Sequence, residues 1–394
     1  MKMITDSAEL AHVCTEFAQS DYVTVDTEFL RERTYFSKLC LVQVARPGEG
    51  DDGAVLIDPL APGMDLAPLF ELMADPSVVK VFHAARQDVE IFWHQGKVIP
   101  APMFDTQVGA MVCGYGEQVG YETLARKVAK AEIDKSSRFT DWSRRPLNNK
   151  QLKYALADVT HLRVIYEKLR DRIEQQNRAH WVAEEMAVLT DPATYVTHPE
   201  DAWRRVKSRS NSPKFLAVVR ELARWREETA QRKDVPRSRI IKDDALLEVA
   251  TAMPKSAEEL NGLRLLQREA RKAETTAEIL AAVQRGAECP AADRPRVPPP
   301  PKRKEGSAAI ADLLKVFLKA RADQIGVASK LIAPAAEIEA LAGEDGADLA
   351  VLKGWRAEVF GNDALRIKHG EVGLVAKPGG LNLVELPADG AQAG

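Results

Sequence analysis

The chain has 394 residues, 45% of them hydrophobic, which is enough for two or three domains that each bury a core. Its formal net charge of −3 excludes a strong bulk attraction to nucleic acid, so any basic surface must be local. The four cysteines are scattered, the N-terminus lacks the apolar core of a signal peptide, and no run of about 18 apolar residues occurs. These features argue against a zinc or disulfide framework and a membrane span, and they predict a cytoplasmic protein.

Strand-like and helix-like segments alternate in the first part of the chain, residues 1–205. Four segments enriched in β-branched and aromatic residues predict successive strands: YVTVDTEFL, KLCLVQVA, AVLIDPL and VVKVFHA. The fourth runs into a helix, RQDVEIFWHQG, and a later segment, NKQLKYALADVTHLRVIYEKLRDRIEQQ, repeats apolar residues at helical spacing. This order of elements predicts an α/β layer fold.

Residues 209–289 have the pattern of an all-helical module. Ser212 is the predicted N-cap of its first helix, and Pro213 occupies the first helical position, where its missing N–H costs nothing. The module is followed by residues 290–305, PAADRPRVPPPPKRKE, whose proline content predicts a semi-rigid linker.

An internal repeat predicts a second helical module over residues 306–385. A gap-free shift of 92 positions aligns apolar and glycine anchors of the two modules: Leu222 with Leu314, Trp225 with Phe317, Val235 with Val327, Leu246 with Ile338, Leu260 with Leu352 and Gly262 with Gly354. The copies differ in charge, with 13 Lys or Arg against 4 Asp or Glu over 203–242, but 9 against 12 over 307–394. We therefore expect phosphate contacts from the first copy only.

Two carboxylates, Asp26 and Glu28, interrupt the first of the predicted strands. Residues i and i+2 of a strand share a face, so both acids point one way while Val25 and Thr27 point the other. Such a pair coexists at low dielectric when a divalent cation lies between the two groups or when one of them is protonated. Carboxylate oxygens suit Mg²⁺ or Mn²⁺. Taken alone, the pair is more simply explained by a solvated strand end.

Further acids follow in order along the chain. Asp88 lies in the opening turns of the helix after the fourth predicted strand, where a lone acid is often only a dipole partner. Asp158 follows Tyr154 by four residues, so the two share a face of the long helix, and Asp158 interrupts an apolar neighbourhood. Four carboxylates around two metals, with a phenol beside them, make a site that hydrolyses phosphodiesters.

Several segments resemble a known family. VDTEF, FHAARQDVEIF and YALADVTHL are similar to the three exonuclease motifs of the DEDD superfamily, in its tyrosine-containing branch. FDTQVGAMVCGYG, GYETLARKV and IDKSSRFTDWSRRPLNNKQLKYALADV resemble the intervening segments of the ribonuclease D family. The first helical module resembles an HRDC domain, and the second resembles the divergent second HRDC domain of that family.

The resemblance implies a ribonuclease-H-like exonuclease domain, with a mixed sheet flanked by helices, followed by two all-helical HRDC domains. It implies a 3′→5′ exoribonuclease that removes nucleotides one at a time and releases 5′-monophosphates, with tRNA precursor 3′ ends as the expected substrate. The implied metal ligands of two Mg²⁺ or Mn²⁺ ions are Asp26, Glu28, Asp88 and Asp158. Tyr154 is implied to orient the attacking water, because a phenol that titrates near pH 10 need not be the base.

Five neighbours are expected to contact RNA: Phe29, His83, Gln107, Lys135 and Arg145. Each has a competing explanation. Phe29 either wedges against the terminal base or belongs to the core, and the core is favoured. His83 either touches the 3′-terminal nucleotide or makes a structural hydrogen bond, and the latter is favoured. For the Lys and Arg residues, the alternative is a solvated loop.

Two other functions remain open at this point. The same chemistry would serve a 3′→5′ DNA exonuclease, and a decayed nuclease core would serve as a non-catalytic RNA-binding scaffold. HRDC domains also occur in helicases, but the sequence contains no G-x-x-x-x-G-K-[ST] phosphate loop, which argues against a helicase. We expect a monomer that acts on RNA and does not bind a membrane.

Overall fold

The computed structural model describes residues 2–297, 305–344 and 346–387, except for the side chains of Lys135 and Glu269. Its N-terminal part is built on a six-stranded sheet with spatial order β1-β4-β3-β2-β5-β6. The pairs β2–β3 and β3–β4 are antiparallel and the other pairs are parallel, so the prediction of a mixed sheet is confirmed. The strands are β1 (Lys2–Ile4), β2 (Tyr22–Leu30), β3 (Lys38–Ala45), β4 (Ala54–Ile57), β5 (Val79–Phe82) and β6 (Met103–Asp105).

The helices of this part lie between and after the strands. They are α1 (Ser7–Phe17), α2 (Ala67–Ala74), α3 (Arg86–Gly96), α4 (Thr106–Val112), α5 (Tyr121–Leu124), α6 (Asn149–Gln175) and α7 (Ala179–Leu189). Single turns of π- or 3₁₀-helix occur at Ala125–Ala129, Lys135–Ser137, Pro192–Tyr195 and Pro199–Arg205. The sequence predicted β2 to β5, α3 and α6, but β1 and β6 have three residues each, which is too short for a recognisable alternation.

The two faces of the sheet carry different helices. Val23 and Val25 of β2 belong to a core that includes Val89 and Phe92 of α3. On the opposite face, the Thr24 hydroxyl donates a hydrogen bond of 2.9 Å to the carbonyl of Val159 in α6. Alternate residues of β2 therefore point toward α3 or toward α6, as the period of two in a strand requires.

The long helix α6 starts at a capping box. The Asn148 side chain accepts from the backbone N–H groups of Lys150 and Gln151, and the Gln151 side chain accepts from the backbone N–H of Asn148. Its 27 residues extend roughly 40 Å at 1.5 Å per residue, so one rigid element spans the whole face of the sheet. The position of each residue along α6 therefore determines where its side chain meets the strands.

The first helical module contains α8 (Pro213–Lys233), α9 (Arg237–Ile240), α10 (Asp243–Ala252), α11 (Ala257–Asn261) and α12 (Ala273–Ala287), with a 3₁₀ turn at Arg268–Arg271. Pro213 opens α8 as predicted, although the Ser212 side chain makes no capping hydrogen bond. The module has a core of its own, in which Leu222, Trp225 and Ile279 are buried. None of the helices in the described residues combines the length and apolarity needed to cross a membrane.

The prediction that residues 306–385 are all-helical is wrong at their C-terminal end. Helices α13 (Ser307–Ile325), α14 (Ser329–Ile332), α15 (Ala335–Gly343), α16 (Gly354–Arg356) and α17 (Asn362–Lys368) are followed by a hairpin of β7 (Val372–Lys377) and β8 (Gly380–Glu385), with further 3₁₀ and π turns at Ala350–Leu352 and Ala357–Gly361. The physical reason lies in the local sequence. Leu381 and Leu383 alternate with polar residues, and Pro378-Gly379 forms a tight turn with φ of +93° at Gly379.

The C-terminal module packs directly on the exonuclease-like part through α7. The rings of Trp181 and Trp355 stack with centroids 4.6 Å apart, and the Arg178 guanidinium donates to the carbonyl of Ile325 at 2.6 Å. Gly114 has φ of +80°, and a Cβ there would lie 2.2 Å from the Gly326 carbonyl oxygen, so only glycine permits this approach. The predicted linker 290–305 lies partly outside the described residues.

Candidate active site

Three carboxylates meet on the α6 face of the sheet. Asp26 and Glu28 of β2 share that face with Thr24, and Asp158 extends toward them from α6. One oxygen of each group lies within 4.8 Å of the others, which makes a candidate metal centre among the described residues. Asp26 and Glu28 therefore point to the same face of β2, as predicted, and that face is turned toward the helix that carries Asp158.

Asp88 approaches the same site from the α3 side of the sheet. Its Oδ1 accepts a hydrogen bond of 2.5 Å from the hydroxyl of Thr27, which points away from Asp26 and Glu28. The pairing of β2 with β5 covers only Tyr22–Thr24, so the edge of β2 beyond Thr24 is not covered by β5. Asp88 reaches the other three acids past this uncovered edge of β2, and it lines the same cavity as they do.

Burial and mutual repulsion perturb the acids strongly. Burial raises the pKa of Asp26 well above its usual range, and the charge of Asp158 raises it further. The pKa of Glu28 rises for the same reasons, with Asp26 as its strongest repelling neighbour. Burial likewise raises the pKa of Asp88, and that of Asp158 to about 7. Without a cation, burial and mutual repulsion disfavour the ionisation of these groups together, so the site favours a positively charged ligand.

Tyr154 stands one helical turn before Asp158 on α6, as predicted. Burial and the charges of Asp158 and Glu28 raise the pKa of its phenol far above the ordinary value. Hydrogen bonding from Tyr154 in turn lowers the pKa of Asp158, together with the nearby Arg138 guanidinium. The phenol thus remains protonated at neutral pH and can only donate or orient.

The acids open into a cavity of about 580 Å³. It is large enough for a ligand of nucleotide size and lies in the usual range for small-molecule sites. Its lining combines acids, aromatic rings and polar side chains: Asp26, Thr27, Glu28, Phe29, His83, Ala84, Gln87, Asp88, Gln107, Gly120, Tyr121, Glu122, Thr123, Ile133, Arg138, Phe139, Tyr154, Asp158 and Leu162.

Three of the five predicted RNA contacts lie in this lining. Phe29 is partly buried and packs against the core while it also borders the cavity, and its stacking on a base stays a prediction. His83 Nδ1 lies 3.0 Å from the Thr106 hydroxyl, and burial lowers the pKa of its ring. Its buried Nε2 makes no hydrogen bond with any of the described residues. The Gln107 amide donates to the Val119 carbonyl at 3.2 Å.

Arg145 is not among the residues of this lining. Arg145 has a structural role instead, because its Nε and Nη2 donate to the two oxygens of Asp58 at 2.6 Å each. The same guanidinium donates to the carbonyls of Cys40, Trp142 and Arg144, so its donors are engaged within the protein. The side chain of Lys135 lies outside the described residues.

The sequence reading missed two residues at the mouth of the cavity. Phe139 is 92% exposed, the highest value among the large hydrophobic residues that the structure describes. The Arg138 guanidinium lies 5.2 Å from the Phe139 ring centroid and is the cation that lowers the pKa values of Glu28, Tyr154 and Asp158. The available signal was their position in the segment IDKSSRFTDWSRRPL, which also contains Arg145.

Comparison with known families assigns two parts of the chain. Residues 1–174 match the 3′-5′ exonuclease family, and residues 215–283 match the HRDC domain family. A ribonuclease D of Jannaschia sp. is 55% identical over 383 residues, covering 97% of this chain and 99% of that protein. The chain belongs to the ribonuclease D family. A family member from Nitrobacter hamburgensis is 49% identical over 98% of this chain and 100% of that protein.

The structural comparison gives the same family. The crystal structure of Escherichia coli RNase D, described as an exoribonuclease involved in structured RNA processing, superposes with a TM-score of 0.81. The two chains are 28% identical, and the match covers 94% of this chain and 98% of that one. The predictions of the ribonuclease D family, its exonuclease fold and the first HRDC domain are confirmed. The assignment of the second helical module to the HRDC family stays a prediction.

Proposed function

We propose that this ribonuclease D family member is a metal-dependent 3′→5′ exoribonuclease that removes nucleotides singly and releases 5′-monophosphates. The observation that carries the proposal is the convergence of Asp26, Glu28 and Asp158 within 4.8 Å in a cavity that Asp88 also lines. A decayed, non-catalytic scaffold has no reason to hold buried carboxylates together at this electrostatic cost.

The donor set fits divalent metal ions. The four acids offer only hard oxygen ligands, and the raised pKa values of these groups support cationic partners that would let them ionise together. Asp26, Glu28 and Asp158 would hold one ion, and Asp88 with Asp26 would contribute to a second. Ions bound there supply a water of lowered pKa and stabilise the attacking and leaving oxygens of the phosphodiester. Both Mg²⁺ and Mn²⁺ suit these ligands.

The residues around the acids position the substrate. The protonated Tyr154 phenol orients the attacking water, because it is held beside Asp158 and cannot act as a base at neutral pH. Arg138 is close enough to lower the pKa values of three site residues, so a phosphate beside those residues would also be attracted to it. Phe29 and Phe139 supply aromatic faces on which bases stack without sequence preference.

Selection of RNA rests on His83. The His83 side chain lines the cavity, and its Nε2 is buried with no hydrogen-bond partner within 3.5 Å among the residues that the structure describes, although the Val119 backbone is near enough to raise the pKa of the ring. A buried polar atom in this state gains most from a ligand that completes its hydrogen bonding, and we assign it to the ribose 2′-hydroxyl of the 3′-terminal nucleotide. This assignment favours RNA over the DNA exonuclease alternative. Precursors with 3′ extensions, such as those of tRNA, are the substrate class that we propose, with the protein acting as a cytoplasmic monomer.

The proposal is tested with a 5′-labelled RNA that carries a 3′ extension, incubated with Mg²⁺ or Mn²⁺. We expect a ladder of products that shortens from the 3′ end, no ladder with a chelator, and slower hydrolysis of the matching DNA strand. Asp26→Asn and Asp158→Asn should each remove most of the activity. Asp171→Asn, an exposed acid of the same helix as Asp158, is the matched control and should retain it. An intact RNA with the unaltered protein, or activity retained in both site variants, would contradict the proposal.

A further inference from the structure

A second cavity, of about 520 Å³, lies between the exonuclease domain and the first helical module. On the exonuclease side, the cavity is lined by the loop after β2 and by α3 with the residue that follows it. Its other wall comes from the 194–205 segment and from α8 and α9. The lining contains many cations and aromatic rings: Arg31, Tyr35, Phe36, Arg86, Glu90, Trp93, His94, Lys97, Thr194, Tyr195, Val196, Thr197, Arg205, Gln231 and Arg237. We call it the interdomain cleft.

The interdomain cleft is adjacent to the active-site cavity. Phe29 lines the active-site cavity, and Arg31, two positions further along the same stretch of chain, lines the cleft. The helix that places Asp88 in the active site also places Arg86 and Glu90 in the cleft. A strand of nucleic acid whose 3′ end lies at the acids would therefore have the cleft beside it.

The charge of the cleft is strongly positive, with five Arg or Lys side chains against Glu90. Arg31 forms a bidentate pair with Glu90 at 2.9 Å, and Arg237 is paired with the buried Glu227. The remaining cations, Arg86, Lys97 and Arg205, are exposed and form no ion pair within the described residues.

These three cations differ from several basic side chains of the first helical module, which are held in ion pairs. Much of the positive charge that the sequence places there is neutralised inside the protein. Arg226 pairs with Asp243 at 2.5 Å, and Arg224 pairs with Glu228 at 2.8 Å. Unpaired cations attract phosphates, whereas cations already held by carboxylates must first give up those partners.

Aromatic rings border the cleft between its cations. The Lys97 ammonium lies 5.9 Å from the Trp93 ring centroid, and Phe36 packs against His94 with centroids 4.5 Å apart. Trp93, Tyr35 and Phe36 are all partly exposed, although Trp93 and Tyr35 also pack against the cores beneath them. A positively charged groove with aromatic faces is the usual recognition surface for single-stranded nucleic acid.

We propose that the interdomain cleft binds the single-stranded RNA upstream of the 3′-terminal nucleotide. Arg86, Lys97 and Arg205 contact its phosphates, and the partly exposed rings of Trp93 and Phe36 stack on its bases. The proposal rests on the proposed function and adds to it, because it gives the first helical module a direct part in holding the substrate. An acidic protein segment would match the charge but not the aromatic faces or the adjacency to the acids.

The test compares the triple variant Arg86→Gln, Lys97→Gln, Arg205→Gln with the unaltered protein on two RNA substrates, a dinucleotide and a strand of about 12 nucleotides, which is within the size range of single-strand sites. We expect the ratio of kcat/KM for the long over the short substrate to fall at least tenfold. In an Asp158→Asn background, the slope of log affinity for the long RNA against log salt should decrease by about 2, or roughly 0.7 for each lost phosphate contact.

The matched control is Lys214→Gln, Lys242→Gln, Lys319→Gln, which removes three exposed charges that do not line the cleft. This control should keep both the ratio and the slope. The proposal is overturned if the cleft variant keeps them too, if it loses activity equally on both substrates, or if it loses binding of a polyglutamate peptide but not of RNA. If the unaltered protein hydrolyses neither RNA, the proposed function fails, which is a different result from any of these.

Discussion

The Thr27 hydroxyl donates a hydrogen bond of 2.5 Å to Oδ1 of Asp88, and this contact joins the strand of Asp26 and Glu28 to the helix of the fourth acid. Thr27 is 5% exposed and Asp88 is 7% exposed, so water does not compete for the bond. The bond lowers the pKa of Asp88, opposing the effects of burial and of Asp26. It therefore favours the ionised carboxylate and fixes which of its oxygens remains for a metal.

Thr27→Val should weaken metal binding without removing any of the four acids. Loss of the hydroxyl raises the pKa of Asp88, and one unit of pKa shift corresponds to about a tenfold change in equilibrium. We expect the dissociation constant for Mn²⁺, measured by calorimetry at neutral pH, to rise by about tenfold, with a parallel loss of activity. Thr27→Ser keeps the donor and should behave like the unaltered protein. Equal affinities of the Val and Ser variants would contradict this role of Thr27.

The local periodicities explain why most of the site was predictable. Asp26 and Glu28 share a face because strands have a period of two, and Tyr154 and Asp158 share one because helices bring residues i and i+4 together. The approach of Asp88 from the other side of the sheet was not predictable in this way. It depends on the pairing of β2 with β5 ending at Thr24, which is a long-range register that no local pattern encodes.

Arg145 shows the limit of composition as a guide to binding. Its segment is basic, yet its guanidinium is held by Asp58, a residue 87 positions earlier in the chain. The balance of +9 over residues 203–242 overstated the free charge for the same reason, because acids outside that range, such as Asp243 and Glu278, neutralise part of it. Which cations remain free depends on tertiary contacts, so Arg86 and Lys97 were not found from the sequence.

The metal-free protein should lose stability as the pH rises. The pKa of Asp158 is raised to about 7 in the folded state, and those of Asp26 and Glu28 are also raised, whereas carboxyls of an unfolded chain titrate near 4. From about pH 4 upward, the folded state therefore holds protons that the unfolded state has released, and the free energy of unfolding decreases with pH. With a chelator present, the Tm should fall between about pH 5.5 and pH 8.

Added Mg²⁺ should raise the Tm more at pH 8 than at pH 5.5, because fewer protons must then be displaced from its ligands. Asp158→Asn removes one of the repelling carboxylates and should reduce this dependence on pH. Asp171→Asn, in which the altered side chain is exposed, should retain it. A Tm increase of the same size at both pH values would show that the buried acids are not the metal ligands.

Glu227 anchors the first helical module to the loop after β2. Its side chain is 1% exposed and accepts hydrogen bonds from Arg237 and from the Tyr35 hydroxyl. Burial acts to raise the pKa of Glu227, but these hydrogen bonds outweigh it and lower that pKa. Glu227→Gln should reduce the free energy of unfolding by about 2 kcal/mol, less than for a fully buried pair because Arg237 is 35% exposed.

Chemical denaturation measures this loss of unfolding free energy, and two further variants provide values for comparison. Tyr35→Phe removes the hydrogen bond that its hydroxyl donates to Glu227 and the two that it accepts from Gln231 and Arg237, and should cost at least about 1 kcal/mol. Arg224→Gln on the same helix breaks the exposed pair with Glu228 and should change stability by less than about 0.5 kcal/mol. If Glu227→Gln is no more damaging than Arg224→Gln, the contact does not hold the two domains together.

Phe139 should affect substrate binding and leave the fold unchanged. Its side chain is 92% exposed at the cavity mouth, so Phe139→Ala removes little buried area and should keep the Tm. Stacking of one base on an aromatic ring is worth about 1 to 3 kcal/mol, which predicts a KM for RNA raised by roughly tenfold with a similar kcat. The control is Leu265→Ala, which truncates a hydrophobic side chain that is 47% exposed and lies outside both cavities. Steady-state kinetics on one RNA would distinguish the two variants. An unchanged KM for Phe139→Ala would show that no base stacks on the Phe139 ring.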